Sequence, residues 1–303
     1  MSDSILVTGA GGFIGHHLIK YLKTRGYWVR GVDVKLPEYE ESTADEFHIL
    51  DLRRRDNCLV ATRGIDHVYN LAADMGGIGY ITAYLADIAR NNILINTHML
   101  EASEINNVQR FFYSSSACIY PSYMQTSSDV TPLKESDAYP ADPEEGYGWE
   151  KLFAEKMCQY YTNDYGLETR VARFHNVYGP LGTYDGGKEK APAAICRKLA
   201  NAHDGDEIEV WGDGEQTRSF MYIDDCIVGI NKLMESDHLE PINLGRDDLV
   251  SINQLVDEIE TIANITIKRQ YILDAPLGVR GRNSDNTMIN KVLNWQPSTT
   301  LGV

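Results

Sequence analysis

The amino-acid sequence predicts an α/β protein built on a doubly wound parallel sheet. Three observations carry that expectation: a strand, glycine-rich turn and helix at the N-terminus; a second strand tipped by an acid; and alternation of short apolar runs with helical patterns through the first half of the chain.

Residues 5–8, ILVT, form a short β-rich run, and the cluster GAGGFIG follows. Ile14, Leu18, Ile19 and Leu22 then recur on one helical face. Glycines at this point let backbone N–H groups approach a pyrophosphate while the positive end of the helix dipole faces its charge. Their spacing, Gly9, Gly12 and Gly15, is G-x-x-G-x-x-G rather than the common G-x-G-x-x-G. Taken alone, it reads equally as a tight turn without a ligand. The second apolar strand, WVRGVDV, places Asp33 near the distance of roughly 20 residues expected for the acid that takes the adenosine ribose hydroxyls. An acid there disfavours a 2′-phosphate, so NAD is expected rather than NADP. EFHILDL reads as a strand ending at Asp51 and Leu52, an edge for the adenine pocket. DHVYNLAA and RFFYSSSA read as buried strands separated by the helical stretch AYLADIARNNILINTHMLEASEINN. Ligands of such sheets sit at the carboxyl ends of the strands, and Ser116 and Cys118 lie just there.

Composition narrows the function. A chain of 303 residues has room for one large α/β unit or two unequal lobes. Its net charge of −16 repels nucleic acid and anionic membrane surfaces, so neither is an expected partner and any phosphate ligand must be held by local groups. The cysteines, Cys58, Cys118, Cys158, Cys196 and Cys226, are odd in number, widely spaced and free of a C-x-x-C pair. That argues against a disulfide framework or a zinc site and fits a reducing, cytoplasmic location. No histidine shows metal-ligand spacing, and no window approaches the 18 apolar residues of a membrane span. The N-terminus shows no targeting signal.

In EEGYGWEKLFAEKMCQYY, Tyr147 and Lys151 stand four residues apart on one helix face. A tyrosine beside a lysine cation is expected to deprotonate below its free value of about 10, which makes it a usable base for a sugar hydroxyl. A lone Y-x-x-x-K is a frequent accident. Here it follows a nucleotide turn, an acid-tipped strand and a serine at a strand end, all in order.

With these motifs in sequence, the chain resembles the extended short-chain dehydrogenase/reductase family, whose members act mostly on nucleotide sugars. The resemblance rests on TGAGGFIG, NLAA, SSSA, YGWEK, RFHNVYGP and GDGEQTRSFMYIDD, spread over almost the whole length. It implies a Rossmann-type sheet and tightly held NAD, contacted also by Phe13, Ile14, Asp51, Leu52, Leu71 and Ala72. It implies Tyr147 as the base at a sugar hydroxyl, Lys151 lowering the pKa of that base and orienting the ribose, and Ser116 bonded to the same oxygen. It further implies an NAD-binding domain over 1–170 and a mainly substrate-binding C-terminal lobe over 171–303, with segments near 220–250 returning to the main sheet. The helices around 83–105 and 147–164 resemble the bundle of family homodimers. The chain stops at NWQPSTTLGV, where the family continues through another helix that helps close the substrate pocket, so the expectation is either a truncated C-terminus or an unusually short member.

Oxidation of a ring carbon to a ketone makes the hydrogens on both neighbouring carbons removable. A 4-epimerase does not use this; a 4,6-dehydratase needs two carboxyl groups directly after the serine, where this chain has Ala117 and Cys118. A cysteine, with a free pKa of about 8.5 that positive neighbours lower, suits proton exchange beside the ketone. Lys190 is the candidate for the opposite ring face. Read singly, Cys118 is more often a small core hydrophobe and Lys190 a solvated loop residue; the place of Cys118 two residues from Ser116 at the strand end, and the EKAPAA segment around Lys190, reverse that.

The segments AADMGGIGYI, SSSACIYP, LKESDAYPADPEEGYGWEK, RFHNVYGPLGTYDGGKEKAPAAICRK, WGDGEQTRSF and GVRGRNSDN are similar to the family branch that inverts carbons 3 and 5 of GDP-mannose, giving GDP-L-galactose with GDP-L-gulose as a side product. That similarity implies Cys118 and Lys190 as a base and acid pair. It implies nucleotide or sugar contacts from Gly76, Asn176, Glu189, Lys190, Lys198, Gln216 and Arg282, with Arg282 as the favoured diphosphate clamp and Arg218 and Arg280 as assistants. Two other readings stay open: a 4-epimerase independent of Cys118 and Lys190, and a non-catalytic member that senses bound nucleotide.

Overall fold

The computed structural model describes residues 3–302. Its first half runs β1 (Ser4–Thr8), α1 (Phe13–Thr24), β2 (Trp28–Asp33), β3 (Glu46–Ile49), α2 (Arg55–Thr62), β4 (His67–Asn70), the short α3 (Ile78–Ala83), α4 (Leu85–Ile105), β5 (Arg110–Ser116), α5 (Tyr147–Tyr165) and β6 (Glu168–Phe174). Strand and helix alternate as the apolar periodicity predicts, except between β2 and β3, which are joined without a helix. The chain continues through β7 (Asn176–Tyr178), α6 (Ala191–Ala200), β8 (Glu207–Trp211), β9 (Thr217–Arg218), β10 (Phe220–Tyr222), α7 (Ile223–Glu235) and β11 (Ile242–Leu244). It closes with β12 (Val250–Ser251), α8 (Ile252–Ala263), β13 (Lys268–Ile272), β14 (Gly281–Arg282) and α9 (Thr287–Leu293).

Seven parallel strands form the main sheet in the order β11-β6-β5-β4-β1-β2-β3. Strand order reverses at β1, so the crevice between the β1 and β4 connections opens at the carboxyl edge, where ligands of such sheets bind. Both faces of the sheet are covered, which is why β1 and β5 are buried almost without break instead of at alternate residues. One core joins α1 and α7 to the sheet through Leu18, Ile19, Leu22, Ile227 and Ile230. The other packs α2, α4 and α5 against the opposite face through Cys58, Met99, Leu100, Ala154 and Cys158.

Of the two later segments expected beside the main sheet, Ile242–Leu244 supplies its seventh strand, whereas Phe220–Tyr222 pairs with β7 in a separate two-stranded sheet. The remaining strands are short, pairing β8 with β13 and setting β9 between β12 and β14. Around them α6 and α8 enclose a third core of Ile195, Leu199, Val210, Leu255 and Val256. No helix among the described residues is long and apolar enough to cross a membrane.

Register places the chemistry. Asn70 at the end of β4 lies opposite Tyr113, so Ser114, Ser115 and Ser116 run three residues past their β4 neighbour, paired only to β6. The end of β5 therefore projects over the crevice. There the chain turns through a short 3₁₀ segment, Ala117–Ile119, which the Ser116 hydroxyl caps by accepting from the Cys118 N–H.

Candidate active site

A cleft of about 1980 Å³ runs along the carboxyl edge of the main sheet and under α6, β8 and the 276–282 segment. That is well above the 300–1,000 Å³ of an ordinary small-molecule pocket and has room for a dinucleotide beside a second ligand. Every candidate residue named from the sequence lines it except Arg280, which sits outside in a bidentate pair with Asp213 at 2.7 and 2.9 Å.

The nucleotide end is shaped by close backbone approach. Gly9 has φ of +66°, and a Cβ there would stand 2.9 Å from the Leu71 main chain; one at Gly15 would stand 2.2 Å from the Gly9 carbonyl. Only glycine permits this turn, and α1 starts directly after it with Gly12 as its cap. Asp33 accepts from the Gly11 N–H at 2.9 Å, so the acid is fixed beside the turn. A cradle that side chains would fill, a helix N-terminus and an acid at the second strand end fit a dinucleotide with free ribose hydroxyls. Thr8 holds the neighbouring wall by accepting from the Leu71 and Ala72 N–H groups, both at 3.1 Å.

Tyr147 opens α5 and Lys151 lies one turn on; both are buried. The Lys151 ammonium donates to the Ser114 carbonyl at 3.0 Å and lies 5.4 Å from the centre of the Tyr147 ring. Behind it, Glu150 is buried against Asn92 and Asn96 of α4 and stands 3.9 Å from Lys151. The expectation of a tyrosine lowered by its lysine is not met in this state. Burial pushes the Tyr147 hydroxyl well above its usual value, Cys118 and Glu150 add to the rise, and Ser116 opposes it. Burial likewise lowers Lys151, against the pull of Glu150.

Cys118 differs from expectation in the same sense. Burial raises its thiol, Glu144 raises it further, and Arg282 and Ser116 pull it down without prevailing. Arg282 donates to the sulfur at 3.4 Å through Nη1, to Gln125 Oε1 at 2.6 Å through Nε, and to Glu144 through Nη2. Three of its five N–H donors are thus engaged in the wall around Cys118, at the edge of the cleft. Arg218 is similarly occupied, by the carbonyls of Thr217, Leu277 and Val279. Lys190 stands at the residue before α6, and burial lowers its amine while the nearby Cys118 raises it.

The other candidates occupy defined places. Gln216, in the cleft wall, donates to the Trp211 carbonyl at 2.7 Å and leaves its buried Oε1 without a partner among the described residues. Asn176 donates to the Ser219 carbonyl and Lys198 to that of Glu209. Glu189 accepts from the Gly187 N–H and from Arg197. A Cβ at Gly76 would meet the Tyr80 side chain at 2.9 Å, so packing by Tyr80 requires that glycine.

Two features escaped the sequence reading. Glu144, three residues before Tyr147, is an acid in an acid-rich loop, and nothing local marks it as buried at the site. The second is a strap: Lys188 pairs with Asp74 at 3.2 Å and lies 4.0 Å from the Tyr80 ring centre, while its carbonyl accepts from the Gly77 N–H. Tyr184 stacks on Tyr39 with centres 5.8 Å apart, tying the same loop to the connection after β2. No group of His, Cys, Asp and Glu among the described residues is arranged to hold a metal ion.

Similarity to known proteins follows this geometry. A rice protein (Oryza sativa subsp. japonica) named GDP-mannose 3,5-epimerase 1 is 51% identical over 299 residues, covering 98% of this chain and 78% of its own. The solved structure of UDP-glucose 4-epimerase from Thermotoga maritima, with UDP-glucose, superposes with a TM-score of 0.90 at 27% identity, covering 99% of this chain and 95% of that one. UDP-glucuronic acid 4-epimerase from Bacillus cereus, in complex with UDP-glucuronic acid and NAD, gives a TM-score of 0.83 at 27% identity with the same coverage. The family model described as "NAD dependent epimerase/dehydratase family" matches residues 5–245, and the chain belongs to that family.

Proposed function

We propose that the protein converts GDP-mannose to GDP-L-galactose by inverting carbons 3 and 5, releasing some GDP-L-gulose inverted at carbon 5 alone. The observation that carries this reading is the wall at the end of β5: Ser116, Cys118, Tyr147 and Lys190 open into one cleft, with Ala117 and Cys118 where a 4,6-dehydratase would need carboxyl groups. The 51% identity to the rice 3,5-epimerase supports it over the 4-epimerase reading, whose solved examples match at 27%.

NAD, when bound, supplies the two-electron acceptor that makes carbon 4 a ketone and the donor that restores it. Tyr147 takes the proton of the 4-hydroxyl, Ser116 holds the same oxygen, and Lys151 fixes the base in place. With carbon 4 oxidised, the electron pair left at carbon 5 or carbon 3 spreads onto the carbonyl oxygen as an enolate, which makes those protons exchangeable. Cys118 and Lys190 take and return them from opposite ring faces. A thiol raised by burial and an amine lowered by burial approach each other in proton affinity, so either direction of transfer lies within reach. Glu189, Lys198, Gln216 and Asn176 hold the nucleotide sugar.

We also take the protein to act as a homodimer in a reducing cytoplasm. The outer faces of α4 and α5, with Trp149 49% and Phe153 47% exposed, support the first; five free cysteines support the second.

Turnover of GDP-mannose in deuterated water, read by proton NMR, tests the chemistry. Deuterium at carbons 3 and 5 with new galacto and gulo signals is expected, and both are lost in Cys118→Ala and Lys190→Ala. A product inverted only at carbon 4, without deuterium, would return the protein to the 4-epimerases.

A further inference from the structure

The guanidinium that touches Cys118 is itself held by a small buried assembly to which the proposed chemistry assigns no part. Gln125 is 1% exposed, and both of its amide N–H donors go to carbonyls, those of Tyr120 and Pro121, each at 3.1 Å. Its Oε1 is thereby forced towards Arg282. Glu144 grips the other side of the same guanidinium. Its own main chain is pinned to the reactive turn: the Glu144 N–H donates to the Cys118 carbonyl at 3.0 Å, and its carbonyl accepts from the Gly148 N–H at 2.9 Å. A Cβ on Gly148 would stand 2.4 Å from that Cys118 carbonyl, so α5 lies directly on the turn. Thiol, guanidinium and carboxylate thus form one unit spanning the turn after β5, the loop before α5, and β14.

The geometry points to Glu144 as the positioning residue for Cys118: it holds Arg282 against the sulfur and balances the charge that Arg282 brings there. This inference rests on the reading of Cys118 as the proton-transfer group. Other charged or titratable groups face the sulfur as well: Tyr147 and Lys151 from α5, Lys190 from the start of α6, and Arg218 from β9. The Ser116 hydroxyl stands beside them at the end of β5. Among these, Glu144 is the carboxylate paired to the guanidinium that contacts the sulfur. Burial would raise the carboxyl of Glu144, but Arg282 and then Arg218 more than offset that, so it remains an anion. An anion at this place opposes a thiolate, and a cation favours one. Burial is the main reason Cys118 stays a thiol; Glu144 adds to that and Arg282 opposes it, so removing the Glu144 charge lowers the thiol and removing the Arg282 charge raises it.

The test is the pH dependence of Cys118 alkylation by iodoacetamide in the NAD-loaded protein, followed on the Cys118 peptide by mass spectrometry so that exposed Cys196 is not counted. In Glu144→Gln, which keeps an acceptor for Arg282 and removes the charge, the midpoint is expected to fall by about one pH unit. In Arg282→Gln it is expected to rise by a similar amount, and in Glu144→Asp to stay near the parent value. Shifts of opposite sign are not produced by loss of shape. An unchanged or raised midpoint in folded Glu144→Gln overturns the proposal; if that variant does not fold, an unchanged or lowered midpoint in Arg282→Gln does so. Deuterium uptake at carbon 5 of GDP-mannose, measured in parallel, is expected to move its pH profile with the alkylation midpoint. Opposite alkylation shifts with no deuterium uptake in the parent would uphold the Glu144 assignment and overturn the proton-transfer reading of Cys118.

Discussion

His175 shows how much a single buried side chain contributes to pH behaviour. It is enclosed with its Nε2 3.3 Å from Asn243 Oδ1, and burial pushes its pKa down to about 3. The unfolded chain takes up a proton near pH 6.5 that the folded protein refuses until near pH 3. The stability this residue contributes is therefore complete above pH 6.5 and is lost on acidification through that window, at about 1.4 kcal/mol per pH unit. His175→Gln is expected to flatten the acid limb of stability against pH, measured by urea unfolding at successive pH values. Parallel curves for parent and variant would assign that limb to other groups. The same burial explains why Cys118, Tyr147 and Lys151 all depart from the values a sequence suggests: at this strand end desolvation is the first cause of every one of these shifts, and charged neighbours only modify it.

Secondary-structure elements are stitched together by a second buried charge pair, one turn along α5 from Lys151. Arg173 of β6 meets Glu155 of α5 at 3.0 and 2.9 Å and also donates to the Tyr120 hydroxyl and the Glu135 carbonyl, while Ser115 of β5 donates to the same carboxylate. Two strands and a helix thus share one polar knot within the apolar layer. Removal of one partner leaves an uncompensated buried charge, so Arg173→Met is expected to lower unfolding stability by about 3–5 kcal/mol. Adding Glu155→Gln to that variant is expected to recover part of the loss, because the orphan charge is gone. A loss below about 1 kcal/mol in the single variant, by urea denaturation, would show that the knot relaxes or hydrates instead.

At the scale of the molecule, the proposed homodimer rests on apolar surface outside the cleft. Trp149, Phe153 and Tyr160 on α5 and Leu85 and Ile93 on α4 are large and exposed, whereas the inner faces of the same helices are filled by the core and by the Asn92–Glu150 contact. Phe153→Glu is expected to halve the mass seen by sedimentation equilibrium at micromolar concentration, and a parent that already sediments as a monomer would overturn the homodimer. The same two helices also carry Tyr147 and Lys151 and the asparagines behind them, so a second copy packed there would stiffen the catalytic helix from outside.

The amino-acid sequence by itself determined the doubly wound sheet, the glycine turn, Asp33, and the residues that meet in the cleft. These are local signals: apolar periodicity, spacing along a helix, and a turn that only glycine can make. Arg280 shows the limit of such signals, since spacing alone did not reveal that Asp213 already holds it outside the cleft. Tertiary structure alone decided that β5 overreaches β4 by three residues, that Arg282 belongs to Cys118 and Glu144, and that burial governs the proton affinities. Each of these depends on which distant segments meet, with Glu144 and Arg282 separated by 138 positions and Cys118 and Arg282 by 164. Desolvation in turn depends on everything packed around a group, which no window of sequence contains.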